Sequence, residues 1–269
     1  MTYCPPRIIL LLSTLLTACL PVAAKETVRL ASDEWCPYVC VRDGRISGGF
    51  VVEATTRALG TMGIRVEPML LPLNRAMRQT LAGTIDGVFA PPEDAGLRPG
   101  PVLGYSRACF FTSTRSSWSY RGLWSLKGVR LGVIGDYEYD NGDMDAFIVS
   151  HRGNRHAIDF SYGTNAGTTN AKKLLGGRFP VLLEHELVMY KLISEMKAEG
   201  RFRNAGCLEN TFALRAGFSP HNKRSGKWAA ALAQGVARLE KSGELARLRE
   251  RHGVAATPGD GKPRVQSLF

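Results

Sequence analysis

In "SDEWCPYVC", Ser32 to Cys40, two cysteines stand with three residues between them, and three chemistries compete for that spacing. A redox pair usually reads C-x-x-C at the start of a helix, whereas here Pro37 and a third intervening residue follow a strand-like segment. A zinc site needs further ligands, and the five histidines, His151, His156, His185, His221 and His252, all lie far away in sequence. A disulfide needs only an oxidising compartment, and it would fix the shape of a short loop. Cys109 and Cys207 form a second candidate pair, with two free thiols as the alternative, because spacing alone does not supply the Cα separation a bridge requires.

Two further groups of residues invite a chemical reading. The turn "GDYEYDNGD" carries Tyr137, Tyr139 and several carboxylates just before a helix N-terminus, where backbone N–H groups favour an anion and tyrosines can stack or donate hydrogen bonds. The same carboxylates could simply cap the helix, and as a calcium loop their spacing does not match an EF-hand. Glu184 ends the strand "PVLLE", and the carboxyl ends of strands face the crevice in open α/β sheets; a helix-capping role is the alternative. There is no G-x-S-x-G and no H-E-x-x-H, so the sequence offers no catalytic set and no catalytic residue is assigned. No cofactor or metal is expected.

The elements that must position these residues begin after a leader. Residues 1 to 24 combine one Arg, an apolar run from Ile8 to Leu16 and small residues at Val22 and Ala24, which is the pattern of a secretory signal. Leu16-Thr17-Ala18-Cys19 also has the form of a lipobox, which would leave Cys19 lipidated as a tether. Either way the protein is expected outside the cytoplasm, in the periplasm or its equivalent, with Cys36, Cys40, Cys109 and Cys207 as the mature cysteines. The formal net charge is +11, or +10 once Arg7 leaves with the signal. The basic residues are spread along the chain, so the excess reads as a solvated surface rather than a nucleic-acid stripe.

From Thr27 onward, strand and helix patterns alternate, which is an α/β signature. One βαβαβ unit runs to Ala90, and a second of similar layout starts at Gly128. An extended segment, "LENTFALRAGFS", and two helices follow, and residues 256 to 269 read as a loose tail. Two such units suggest two lobes.

The chain resembles extracytoplasmic solute-binding proteins of the family 3 type, which include polar amino-acid receptors of ABC transporters. The resemblance rests on the order of "WCPY" (Trp35 to Tyr38), "GFVVEA" (Gly49 to Ala54), "PLNRA" (Pro72 to Ala76), "AGTIDG" (Ala82 to Gly87), "SLKGVRLGVIGDYEY" (Ser125 to Tyr139), "FSPHN" (Phe218 to Asn222) and the closing "LAQGVARLEKSGELARL". It implies a periplasmic binding protein-like type II fold, in which each lobe is a mixed sheet flanked by helices. Lobe 1 would be residues 25–111 plus 213–255 and lobe 2 residues 112–212, joined by crossovers near Phe110 to Ser113 and Phe212 to Ala216. Hinge closure would then bury a small polar solute between the lobes.

On that resemblance, Trp35 and Tyr38 are expected on the cleft wall, and Arg75 at the position where the family's "P-W-x-R" borders the cleft. Tyr137, Tyr139 and Glu184 are expected to reach the ligand from lobe 2, Glu184 where family members carry an Asp for an amino group. The tract "GTNAGTTN" (Gly163 to Asn170) would add hydroxyl or amide contacts or cap its helix. The family's "T-x-x-R" carboxylate clamp is not matched: "APPEDAGLRPGPVLGYS" offers Glu93 and Arg98 there, with Arg98 as the substitute. The implied role is capture of a small polar solute, amino-acid-like or a small anion, by a monomer, for an ABC permease or a membrane sensor. The alternative is a periplasmic enzyme of the cyclohexadienyl dehydratase type, with a carboxylate such as Glu184 as general acid.

Overall fold

The structure is a computed structural model and describes residues 1–2, 26–93 and 95–258. Residues 3–24 of the expected leader, with the lipobox at Cys19, and residues 259–269 of the expected tail lie outside them.

The first sheet begins with β1 (Thr27–Ser32), where Val28 and Leu30 point into the core and Arg29 points out to Asp86. The alternation stops at Leu30: Ala31 and Ser32 are buried as well, because the sheet is covered on both faces there. β2 (Cys40–Arg42) and β3 (Arg45–Gly48) make a small hairpin that the sequence reading did not anticipate. α1 (Phe50–Gly60) then buries Phe50, Val51, Ala54 and Ala58 along one face. β4 (Arg65–Leu70), α2 (Leu73–Leu81), β5 (Gly87–Phe89) and β6 (Arg98–Pro99) complete the first half of the chain.

β7 (Gly104–Ser113) leaves for a second sheet built with β8 (Leu131–Ile134), β9 (Ile158–Ser161), β10 (Val181–His185) and β11 (Phe202–Leu214). Its helices are α3 (Asp143–Ser150), α4 (Ala166–Leu175) and α5 (Glu186–Glu195). The chain returns through β12 (Ala216–Phe218) and closes with α6 (Ser225–Lys241) and α7 (Glu244–His252).

The strand order is β4-β1-β5-β12-β6 in the first sheet and β11-β7-β10-β8-β9 in the second. Both are mixed: β4, β1 and β5 run parallel with β12 against them, and β10, β8 and β9 run parallel with β7 against them. The architecture is therefore two α/β lobes joined by two strands, β7 and β11, which pair antiparallel from Gly104↔Leu214 to Ser113↔Phe202. Phe110 and Phe111 already pair with β10, so the first crossing falls near Gly104, upstream of the expected Phe110 to Ser113. β11 likewise starts at Phe202, earlier than the apolar run from Leu208 suggests, because Arg203 and Asn204 sit opposite Thr112 and Phe111 and extend the ladder with polar residues.

Both candidate disulfides form, and of the two readings left open for Cys109 and Cys207 the bridge is the one present. Cys36–Cys40 closes the loop after β1, and Cys109–Cys207 joins the two crossover strands at a directly opposed pair.

β8 and β10 have every residue buried. Parallel strands with helices on both faces have no solvated side, so their sequences are apolar throughout and only their ends can carry polar groups. Glu184 and His185 are those ends. Among the described residues no helix is long and apolar enough to cross a membrane.

Candidate functional site

The loop 33–39 after β1 is locked in place by its neighbours. Trp35 N–H donates to Val39 O at 2.8 Å, and at the start of α1 the Phe50 and Val51 amides donate to the carbonyls of Pro37 and Tyr38 at 2.8 and 3.0 Å. Gly49 makes this docking possible: its φ is +103°, and a Cβ there would sit 2.6 Å from the Tyr38 oxygen. A side chain would therefore push the loop off the helix.

The locked loop delivers Trp35 to a cluster of rings drawn from both lobes. Its ring centroid lies 4.4 Å from Tyr38, 4.8 Å from His185, 5.8 Å from Phe212 and 6.2 Å from Tyr137, and the last three rings meet it nearly edge-on. Edge-to-face contacts of this kind favour the ring quadrupoles as well as burying area.

Beneath the rings runs a chain of hydrogen bonds with one consistent direction. The Tyr38 hydroxyl donates to Ser106 Oγ at 2.7 Å, Ser106 lies 2.8 Å from His185 Nδ1, and His185 Nε2 lies 3.1 Å from the carbonyl oxygen of Glu138. A carbonyl can only accept, so Nε2 carries the proton; in the neutral ring Nδ1 then accepts from Ser106. Burial pushes His185 down to about 4, which keeps it neutral. The chain ties the first lobe's loop, the crossover strand β7 and the second lobe together.

Two carboxyl groups stand out. Glu184 is fully buried: Oε1 accepts the His185 amide at 2.8 Å, while Oε2 has no partner in the protein. Burial, and secondly the charge of Asp33, raise its pKa to about 8. Asp33, at the end of β1, is raised to about 6 by burial, and its Oδ2 receives the Tyr137 hydroxyl at 3.4 Å. A buried carboxyl without a cation beside it holds its proton because the charged form loses its hydration.

Two cavities flank the ring cluster and share Trp35 and Tyr137 as walls. The smaller, about 320 Å³, is bounded by Asp33, Leu73, Pro92, Glu138 and Phe212 among others. The larger, about 530 Å³, lies between Glu34 to Cys36 of the first lobe and Gly163 to Thr168, Glu184, Val188, Lys191 and Glu195 of the second. A Cβ at Gly167 would crowd Leu192 Cδ1 at 3.0 Å, while its 3.7 Å from Glu184 Oε2 is ordinary contact.

Of the residues singled out from sequence, Trp35, Tyr137 and Glu184 meet at these cavities. Tyr38 and Tyr139 are buried behind them: Tyr139 accepts the Ile134 amide at 2.8 Å and stacks on His185. Arg75, in the first turn of α2, and Arg98, in β6, are both exposed and line neither cavity. Of the turn's carboxylates, Asp140 accepts the amides of Gly142, Met144 and Asp145 at 2.9 to 3.3 Å, and Asp145, in α3, accepts those of Tyr139, Asp140 and Asn141 at 2.8 to 3.0 Å, so these two serve the backbone at the helix start.

Asp33, Ser106, His185 and Lys191 were not singled out. Asp33 and His185 had a legible signal, since each immediately adjoins a residue at a strand's carboxyl end. Ser106 and Lys191 had none, because their placement depends on contacts far apart in the chain.

No family model matches the chain, and no curated protein matches it. Solved structures do. A histidine kinase sensor domain with similarity to periplasmic binding proteins superposes with a TM-score of 0.73 at 16% identity, over 87% of this chain and 99% of that one. An ancestral arginine-binding protein bound to arginine matches at 0.68 and 13% identity, over 84% and 97%. An ancestral amino acid-binding protein, a precursor of cyclohexadienyl dehydratase, matches at 0.64 and 13%, over 84% and 94%. At such identities the likeness is one of fold, and the fold is that of the two-lobed periplasmic binding proteins.

Proposed function

We propose that the protein binds a small polar solute between its lobes, outside the cytoplasm, and presents it to a membrane partner, either a transport permease or a sensor. The observation that carries this reading is the unpartnered Oε2 of fully buried Glu184 at the wall of a cavity to which both lobes contribute. A buried polar atom without a partner is costly unless a ligand or water completes it. The solved structures of like fold include a sensor domain and amino-acid-binding proteins, which supports binding as the activity and leaves either kind of partner in play. Trp35 and Tyr137 would form the walls and Glu184 the polar anchor. Native mass spectrometry of gently purified protein tests this: one small-molecule adduct per chain is expected, lost in Glu184→Ala, and an adduct indifferent to that substitution would refute the assignment.

The dehydratase reading keeps one specific observation in its favour. At a pKa near 8, Glu184 is mostly protonated at neutral pH, the state a general acid needs. Release of product from prephenate by purified protein would establish it, and its absence alongside ligand binding would leave the receptor reading alone.

A further inference from the structure

We propose that the cleft selects an organic cation, a solute with an ammonium or guanidinium group and no carboxylate of its own. This rests on the solute-binding reading above and narrows its ligand. Across the two cavities the walls contribute the carboxyl groups of Asp33, Glu34, Glu138, Glu184 and Glu195, against the single ammonium of Lys191. Lys191 is itself engaged, with Nζ 3.3 Å from Glu195 Oε1.

This sign is opposite to that of the whole chain, which has 35 Lys and Arg to 24 Asp and Glu. A cleft drawn at random from such a surface would be basic. The arginines that could clamp a carboxylate are elsewhere: Arg75 and Arg98 line neither cavity, and Arg215, near the mouth, is held by Glu93 at 2.6 Å.

A buried carboxylate on the ligand would need such a guanidinium or several amide donors. The start of α4, along Gly163 to Thr168, and the unpartnered Nε1 donor of Trp35 are the parts of the lining that favour an acceptor. The helix start offers about half a positive charge, less than the charge of Asp33, Glu34 and Glu138 that is left once Glu195 pairs with Lys191 and Glu184 keeps its proton. A cation, by contrast, finds the rings of Trp35 and Tyr137 and the free oxygen of Glu184. Its arrival replaces the proton that burial holds on Glu184, so the charges inside the cleft balance.

The experiment compares ligands that differ only by the carboxylate: agmatine with arginine, putrescine with ornithine and cadaverine with lysine, with succinate as an anion, in thermal-shift and calorimetric titrations at pH 7.5. At least one amine should bind about tenfold or more tighter than its amino acid, a difference of about 1.4 kcal/mol. In Glu184→Gln and, separately, in Asp33→Asn, that preference should fall by about tenfold. Either variant with cooperative unfolding suffices for the comparison. An amino acid or succinate binding as tightly as the amines would overturn the cation inference and leave solute binding intact. A preference unchanged in both variants would also overturn it. No response to any of these solutes, in protein that yields no small-molecule adduct, would remove both.

Discussion

The chemistry at the residue scale comes from Glu184, whose position follows from strand and helix meeting without a loop: β10 ends at His185 and α5 begins at Glu186. A carboxyl in that junction is buried by the packing of everything around it. Its raised pKa has a direct consequence for stability. The folded chain holds a proton on Glu184 up to about pH 8, while the unfolded chain releases it near the ordinary value of 4.5. Stability from this group is therefore full below about 4.5 and is lost as pH rises through 8. Asp33 contributes in the same direction, from its ordinary 3.8 to about 6. His185 opposes both between about 4 and 6.5, since it is held neutral when folded. The groups around Glu184 include Asp33, Glu34, His185, Lys191 and Glu195. From about pH 6.5 to 8 the slope belongs mainly to Glu184. Glu184→Gln should flatten the fall in Tm over that window and leave the solute-free protein more stable than the parent at pH 8, as thermal denaturation monitored by circular dichroism would show. Parallel pH profiles for the two would contradict it.

The two disulfides at the element scale close loops of very different size, with sequence separations of 4 and 98. Loop-closure entropy alone makes Cys36–Cys40 worth about 2 kcal/mol and Cys109–Cys207 about 5 kcal/mol. Cys109→Ser with Cys207→Ser should accordingly lower the unfolding free energy in urea by roughly twice as much as Cys36→Ser with Cys40→Ser, and equal losses would show that chain entropy is not the governing factor.

Much of this level could be read from sequence. α1, α6 and β10 declare themselves through apolar periodicity, because their burial is a property of the segment itself. Trp35, Tyr137 and Glu184 were legible for a related reason: each lies at or just past the end of a strand, where an α/β sheet opens its crevice. That Arg75 and Arg98 stand outside both cavities was not legible, since the direction in which a side chain leaves its element depends on how the lobes pack. The Ser106–His185 pairing spans 79 residues and left no local trace.

At the scale of the whole molecule, β7 and β11 are the covalent links between lobes that also meet through the rings around Trp35, through Leu187 and Val188, and through a few polar contacts. The Glu93 amide donates to Glu138 at 2.8 Å, Asn141 donates to Glu93 at 3.0 Å, and Tyr137 reaches Asp33. A basic exterior around an acidic cleft also separates two tasks, since the surface can meet an anionic membrane or partner while the interior accepts the opposite charge.

The most direct test of solute capture by hinged lobes is small-angle X-ray scattering of the chain dialysed free of solute and then saturated with the molecule recovered from its own preparation. The account predicts a smaller radius of gyration on saturation, with the change abolished in Glu184→Ala. Identical scattering curves with and without that molecule, at concentrations where calorimetry shows it bound, would contradict it.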